Sequence, residues 1–182
     1  MKNLIFSLFL SLFFISSSFA FSIEEVHISK TSEKRYLLFF YLKDFPLQEV
    51  ILALKRQKEE VLLLCEIELY RKNLFSRDER LERYVFFKKA GYDPLRNQYY
   101  LEDEKIRIFF NHPEDLTNLL TKFESLLLSF PNLAGSEDYY LLIKVQLKFY
   151  THLDAKLRYT SKIREVVYKT EKTYDLQKKL LY

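Results

Sequence analysis

Hydrophobic and polar positions alternate most plainly in two stretches of the chain. Within residues 60–71, Leu63, Cys65, Ile67 and Leu69 share one parity while Glu66, Glu68 and Tyr70 take the other, the period-2 signature of a strand with one buried face. Residues 139–151 repeat the pattern, with Leu141, Ile143, Val145, Leu147 and Phe149 set against Lys144, Gln146 and Lys148. Two long strands, each presenting one face to a core, are therefore predicted.

The flanking pattern supplies the other elements. Residues 23–29 and 36–42 read as strands joined by the polar turn 30–34. Asp44-Phe45-Pro46 closes the second strand and opens a helix, since Pro is tolerated in a first turn. That helix, residues 47–57, gathers Leu47, Val50, Ile51 and Leu54 on one side and Gln48, Glu49, Lys55 and Arg56 on the other. The polar segment 73–80 reads as a loop. Residues 81–90 and 99–101 read as the arms of a hairpin around the turn formers of 91–97, Gly91 and Asp93-Pro94 and Asn97 among them. Residues 105–110 give a further strand. Asn111-His112-Pro113-Glu114 has the form of a helix start, a capping Asn with Glu three residues on, and Leu116, Leu119, Leu120, Phe123, Leu126, Leu127 and Phe130 continue it as one apolar stripe up to Pro131.

The resulting order, β-β-α-β-β-β-β-α-β, contains a strand-helix-strand unit twice. It predicts an α+β fold: a mixed or antiparallel sheet with two amphipathic helices on one face. A length of 182 residues suits one domain, 48% apolar residues can fill a core, and two glycines with four prolines exclude a fibrous or disordered chain.

The two ends differ from the middle. Lys2, the apolar run 4–15 and the small-residue end Ser18-Phe19-Ala20 have the three parts of a secretory signal peptide. Cleavage is expected after Ala20, dividing the chain into a signal peptide (1–20), a single domain (21–154) and a basic tail (155–182). The apolar run is shorter than the roughly 20 residues of a membrane span, and no cysteine stands at the cleavage site to carry a lipid. The expected location is thus outside the cytoplasm, periplasmic in a bacterium with two membranes. The tail holds eight Lys and Arg against three Asp and Glu, whereas residues 21–154 hold 20 against 22. Read as a helix, the tail places Tyr159, Ile163, Val166, Thr170, Tyr174 and Leu181 near one stripe among basic residues, a form suited to contact with an anionic membrane surface or an acidic partner, with packing of the stripe on the protein's own sheet the plainer alternative.

Candidate chemistry is sparse. Cys65 is alone, lies on an apolar parity and reads as a buried, inert thiol. His27, His112 and His152 are far apart and form no metal-spaced set; His152 with Asp154 is the nearest thing to an acid-base pair. Glu102-Asp103-Glu104 lacks the spaced ligands of a calcium loop and reads as a solvated turn. Glu66 and Glu68 share a strand face and could be paired carboxylates, but they read better as solvent-face residues balanced by Lys144 or Lys148 on a neighbouring strand. With two glycines in the chain a backbone cradle for phosphate is not expected, and no nucleic acid partner, metal or cofactor is called for.

Phe45-Pro46-Leu47 with its helix, residues 61–71, Arg83-Tyr84 through Tyr92-Asp93-Pro94-Leu95 to Tyr99-Tyr100-Leu101, and Val145-Gln146-Leu147 leading to Leu153-Asp154 resemble a family of exported, uncharacterised bacterial periplasmic proteins known only as a domain of unknown function. The resemblance covers most of residues 36–154; it does not extend past Leu157, and the Trp-containing ending common in that family has no counterpart here. Some of its members are encoded beside membrane sensor kinases, which implies a part in envelope signalling, and the resemblance implies no catalytic residues. The expected function is a non-enzymatic exported interaction domain partnering an envelope or membrane protein. Two alternatives are a binder of an apolar or lipid-like ligand between helices and sheet, and a cryptic hydrolase using His152, Asp154 or the Glu66 and Glu68 pair.

Overall fold

The computed structural model describes residues 21–32, 34–130, 133, 138–152 and 161–176. The expected signal peptide, Asp154, Tyr159 and Leu181 lie outside them. The two alternating stretches become β3 (Glu59–Arg71) and β8 (Tyr139–His152), which pair antiparallel along their whole length. Their register sets Val61 opposite Phe149, Leu63 opposite Leu147, Cys65 opposite Val145, Ile67 opposite Ile143 and Leu69 opposite Leu141. Directly opposed residues point to the same face, so the two apolar stripes merge into one buried surface. Each such Leu, Ile or Val contributes about 1.5–3 kcal/mol when fully removed from water.

β4 (Glu79–Asp93) folds back on β3, β5 (Gln98–Glu102) on β4 and β6 (Arg107–Phe110) on β5, while β9 (Ser161–Asp175) lines the far edge of β8. The result is a six-stranded antiparallel sheet in the order β6-β5-β4-β3-β8-β9. A smaller antiparallel sheet, β1-β2-β7, is made of β1 (Ser22–Ser32), β2 (Arg35–Lys43) and β7 (Lys122–Ser129). Leu38, Phe40, Phe123 and Leu128 of the small sheet, Val50, Ala53 and Leu54 of α1 (Leu47–Lys55) and the inward residues of β3 and β8 belong to one hydrophobic cluster. Antiparallel pairing and an α+β-like class are as expected, although strands predominate over two short helices and form two sheets rather than one.

Its finer arrangement is not. The unit β2-α1-β3 is no crossover within a sheet, because β2 and β3 lie in different sheets. Both edges of β3 are occupied by antiparallel partners, β4 and β8, and both edges of β2 by β1 and β7, which leaves no place for a parallel neighbour; α1 instead carries the chain from one sheet to the other.

The long second helix is also replaced. Only a 3-10 turn (Pro113–Leu116) and α2 (Thr117–Thr121) are helical, and the rest of the expected stripe becomes β7. The physical reason is a hidden alternation: Phe123 is buried, Glu124 exposed, and after a one-residue slip Leu126, Leu128 and Phe130 turn inward. Ser125, at φ 57°, sits in the slip, opposite the break in the β2-β7 register between Leu38 and Phe40. A bulge of this kind lets a 3.6-period stripe serve as a strand, and the free edge of β2 takes up the backbone groups.

The basic tail differs likewise. Residues 161–175 form a strand rather than a helix, with Tyr168, Thr170 and Tyr174 opposite Leu147, Val145 and Leu141. A strand as long as β8 needs a partner on its second edge, and β9 supplies it. Two local expectations change as well. Asn111 does not cap the 3-10 turn but accepts a hydrogen bond from Gln98 Nε2 at 3.1 Å, and Gly91 lies inside β4 rather than in the turn, under the ring of Tyr100, the residue directly opposite it.

Candidate functional site

The six-stranded sheet is wider than the three-stranded sheet that covers it. Its β4-β5-β6 arm extends past β7, the edge strand of the small sheet, and a cleft of about 380 Å³ remains between the two. Phe86, Leu101, Ile106 and Ile108 line it from the arm, Leu119 and Leu127 from α2 and β7. These walls are apolar because the alternation of β4, β5 and β6 sends the same parity inward that builds the core further along: Phe86 stands opposite Cys65, and Ile108 opposite Leu101. Leu119 and Leu127 nevertheless stay 43% and 48% exposed. A volume of this size lies within the range of small-molecule sites, roughly 300–1,000 Å³.

Lys88 is the chemically distinctive residue of the cleft. It shares its parity with Tyr84, Phe86 and Ala90 and faces inward opposite Leu63. Its ammonium donates to the carbonyl oxygens of Leu119, within α2, and Lys122, at the start of β7, and lies 4.6 Å from the centre of the Phe123 ring. Burial pushes its pKa down to about 8, against the opposing pull of the Asp103 and Glu124 carboxylates. It forms no ion pair among the described residues, and an ammonium carries three N–H groups, one more than the two carbonyls accept. Neighbouring Cys65 is fully buried, and that burial raises its thiol pKa, keeping it protonated.

The outer edge of β7 is closed to strand addition at both ends. At one end Tyr84 Oη donates to the Ser129 carbonyl and accepts the Ser129 N–H at 3.1 Å; at the other Lys88 takes the Lys122 carbonyl. With the Ser125 bulge between them, the edge is poorly suited to pairing with a further strand. The cleft offers side-chain walls, not a backbone ladder.

A second polar cluster lies on the opposite face of the six-stranded sheet. Glu68 is only 2% exposed, covered by the side chains that bind it: it accepts from Lys144 Nζ at 2.6 Å, Arg80 at 2.8 Å and Tyr70 Oη at 3.3 Å. Burial raises its pKa, but the Lys144 and Arg80 hydrogen bonds outweigh it and hold the carboxyl below its ordinary value. Glu66 pairs with Arg83 at 2.5 Å. The expected cross-strand balance is therefore present for Lys144, while Lys148 stands opposite Leu62 and takes no part; the arginines of β4 and the depth of Glu68 were not foreseen.

The other candidates are dispersed. His27 is exposed on β1, His112 is exposed before the 3-10 turn, and His152 ends β8 without a described Asp154 beside it. Glu102 pairs with Arg107, and Asp103 Oδ1 accepts the backbone N–H groups of Lys105 and Ile106 at 2.8 and 3.0 Å, as a turn carboxylate does. Among the described residues Glu66 is partnered by Arg83 and Glu68 by Lys144, Arg80 and Tyr70, and His112, before the 3-10 turn, is not one of these partners. Sequence reasoning missed Lys88; its signal was a lysine on the Tyr84-Phe86-Ala90 parity. Among the described residues no helix is long and apolar enough to cross a membrane. No family model, curated protein or solved structure matches this chain.

Proposed function

We propose that this protein is an exported, non-enzymatic binding domain that takes a chain-like apolar ligand with an anionic head in the cleft between its two sheets. The observation that carries this reading is the pair of facing apolar walls left open at the cleft, with Leu119 and Leu127 on one side and Ile106 and Ile108 on the other, all more than a third exposed. Large exposed apolar patches on a soluble protein mark sites of contact. The ligand's head would meet Lys88, which forms no ion pair among the described residues although the Asp103 and Glu124 carboxylates also line the cleft and pull on it, and its tail the walls. The reading of export rests on the leader-like pattern of residues 1–20; Phe21, the first residue after the expected cleavage site, is 1% exposed and packs edge-on against Phe45 at 5.3 Å. Binding is tested by displacing a fluorescent long-chain fatty acid. Saturable binding that Leu127→Asp or Ile108→Asp abolishes without loss of the β-sheet circular dichroism is the expected result; no saturable binding, or binding indifferent to both substitutions, refutes the reading.

A further inference from the structure

The β3-β4 hairpin carries two adjacent apolar side chains that are almost wholly exposed, where the comparably exposed Leu95 of the β4-β5 turn stands alone. At its tip Leu74 is 94% and Phe75 100% exposed, so neither packs on the protein. The loop around them is nonetheless well braced. Asp78 Oδ1 accepts the Asn73 N–H at 3.1 Å, Asp78 Oδ2 accepts from Tyr140 Oη at 2.9 Å, and Asn73 Nδ2 donates to the Arg77 carbonyl at 3.0 Å. At the base Arg71 pairs with Glu79, and Lys72 with Asp175 at 2.7 Å. The loop so held presents both side chains outward.

We infer that this tip is a membrane-docking element, with Leu74 and Phe75 entering the interfacial region of a phospholipid bilayer. Two side chains fall far short of the roughly 800 Å² that each partner brings to a specific protein interface, whereas a bilayer demands no matching shape and takes an apolar tip at the headgroup boundary. The charges around the hairpin largely pair off, Arg71 with Glu79, Lys72 with Asp175 and Arg80 with Glu68, leaving Arg77 as the cation beside the apolar pair that makes no ion pair among the described residues. Docking is therefore driven by the apolar pair and depends little on salt or on anionic lipid, unlike attraction through a basic tail, which salt screens. It stands independently of the cleft.

The chain has no Trp, so Phe75→Trp places a single reporter at the tip. The full-length mature protein carrying it is mixed with phosphatidylcholine vesicles, with and without phosphatidylglycerol, at low and high salt. A blue shift on vesicle addition, quenched by lipid-borne quenchers and unchanged by salt, is expected. In cosedimentation, Leu74→Ser with Phe75→Ser weakens partitioning at least tenfold while the circular dichroism is unchanged. An unshifted emission, equal partitioning of the double variant, or a blue shift that follows protein concentration without vesicles, which would mark contact with a second copy, each overturns the inference.

Discussion

Lys88→Met removes the ammonium that lies over the Phe123 ring in the cleft while keeping most of the apolar stem. In the folded protein burial brings the Lys88 pKa from the ordinary 10.5 to about 8. Below about pH 8 the ammonium is charged in both states, and the full cost of burying it is present. Between 8 and 10.5 the unfolded chain holds a proton that the folded chain has released, so stability rises with pH. At about 1.4 kcal/mol per pKa unit the complete gap corresponds to about 3 kcal/mol, of which about 2 kcal/mol is realised by about pH 9.5. The substitution removes this dependence but leaves the Leu119 and Lys122 carbonyls without their donor, at about 1–3 kcal/mol for each group left unsatisfied. At neutral pH the two effects oppose one another at similar size, so the slope with pH, rather than the value at pH 7, reports on Lys88. Urea unfolding of both proteins at pH 7 and about 9.5 measures it, and the parent should gain about 2 kcal/mol relative to the variant. Tyr41 and Tyr140, both raised to about 12, titrate above this window and do so in both proteins. Parallel pH dependences would refute the placement of a desolvated ammonium in the cleft.

Gln57 follows α1 at φ 56° while its N–H closes the helix on the Leu54 carbonyl at 2.9 Å; Gln57→Gly should stabilise by about 1 kcal/mol in urea unfolding, because only glycine adopts that conformation without strain. Gly91→Ala should destabilise by about 1–3 kcal/mol in the same assay, since a Cβ there would come within 2.6 Å of Tyr100 Oη, and a second substitution, Tyr100→Ala, should remove most of the additional cost. Glu68→Gln should lose about 1–2 kcal/mol at pH 7, discounted for the partial exposure of Lys144 and Arg80. Its pKa is lowered from 4.5, so the Glu68 contribution is present above about pH 4.5 and is lost as pH falls through the lower folded value; acid unfolding curves of the two proteins should converge there. Cys65, fully buried with its thiol held protonated, should react with a thiol reagent only at the rate of unfolding, as mass spectrometry of labelled native protein would read.

The alternation of β3 and β8 was enough by itself to determine two long half-buried strands, the burial of Cys65 and the presence of a cation near Glu66 and Glu68. Side-chain parity is a property of the backbone, and a stripe of five apolar residues admits one buried face and few registers. The early strands, α1 and the β4-β5 hairpin were legible for the same reason, each having a local period and a local turn. What the sequence did not determine was the pairing of strands with distant partners. Residues 122–129 and 161–175 carry patterns that fit a helix about as well as a strand; the open edges of β2 and β8 decided in favour of the strand, because an unpaired edge leaves backbone donors and acceptors that only another strand can satisfy over its length. The split into two sheets followed from those pairings, and the cleft followed from the split, as the space left where six strands outreach three. Lys88 and the Leu74-Phe75 tip acquired their significance only then: whether a lysine on an apolar parity is buried, and whether an apolar pair in a loop finds a surface to cover it, depends on what the rest of the chain brings to that place.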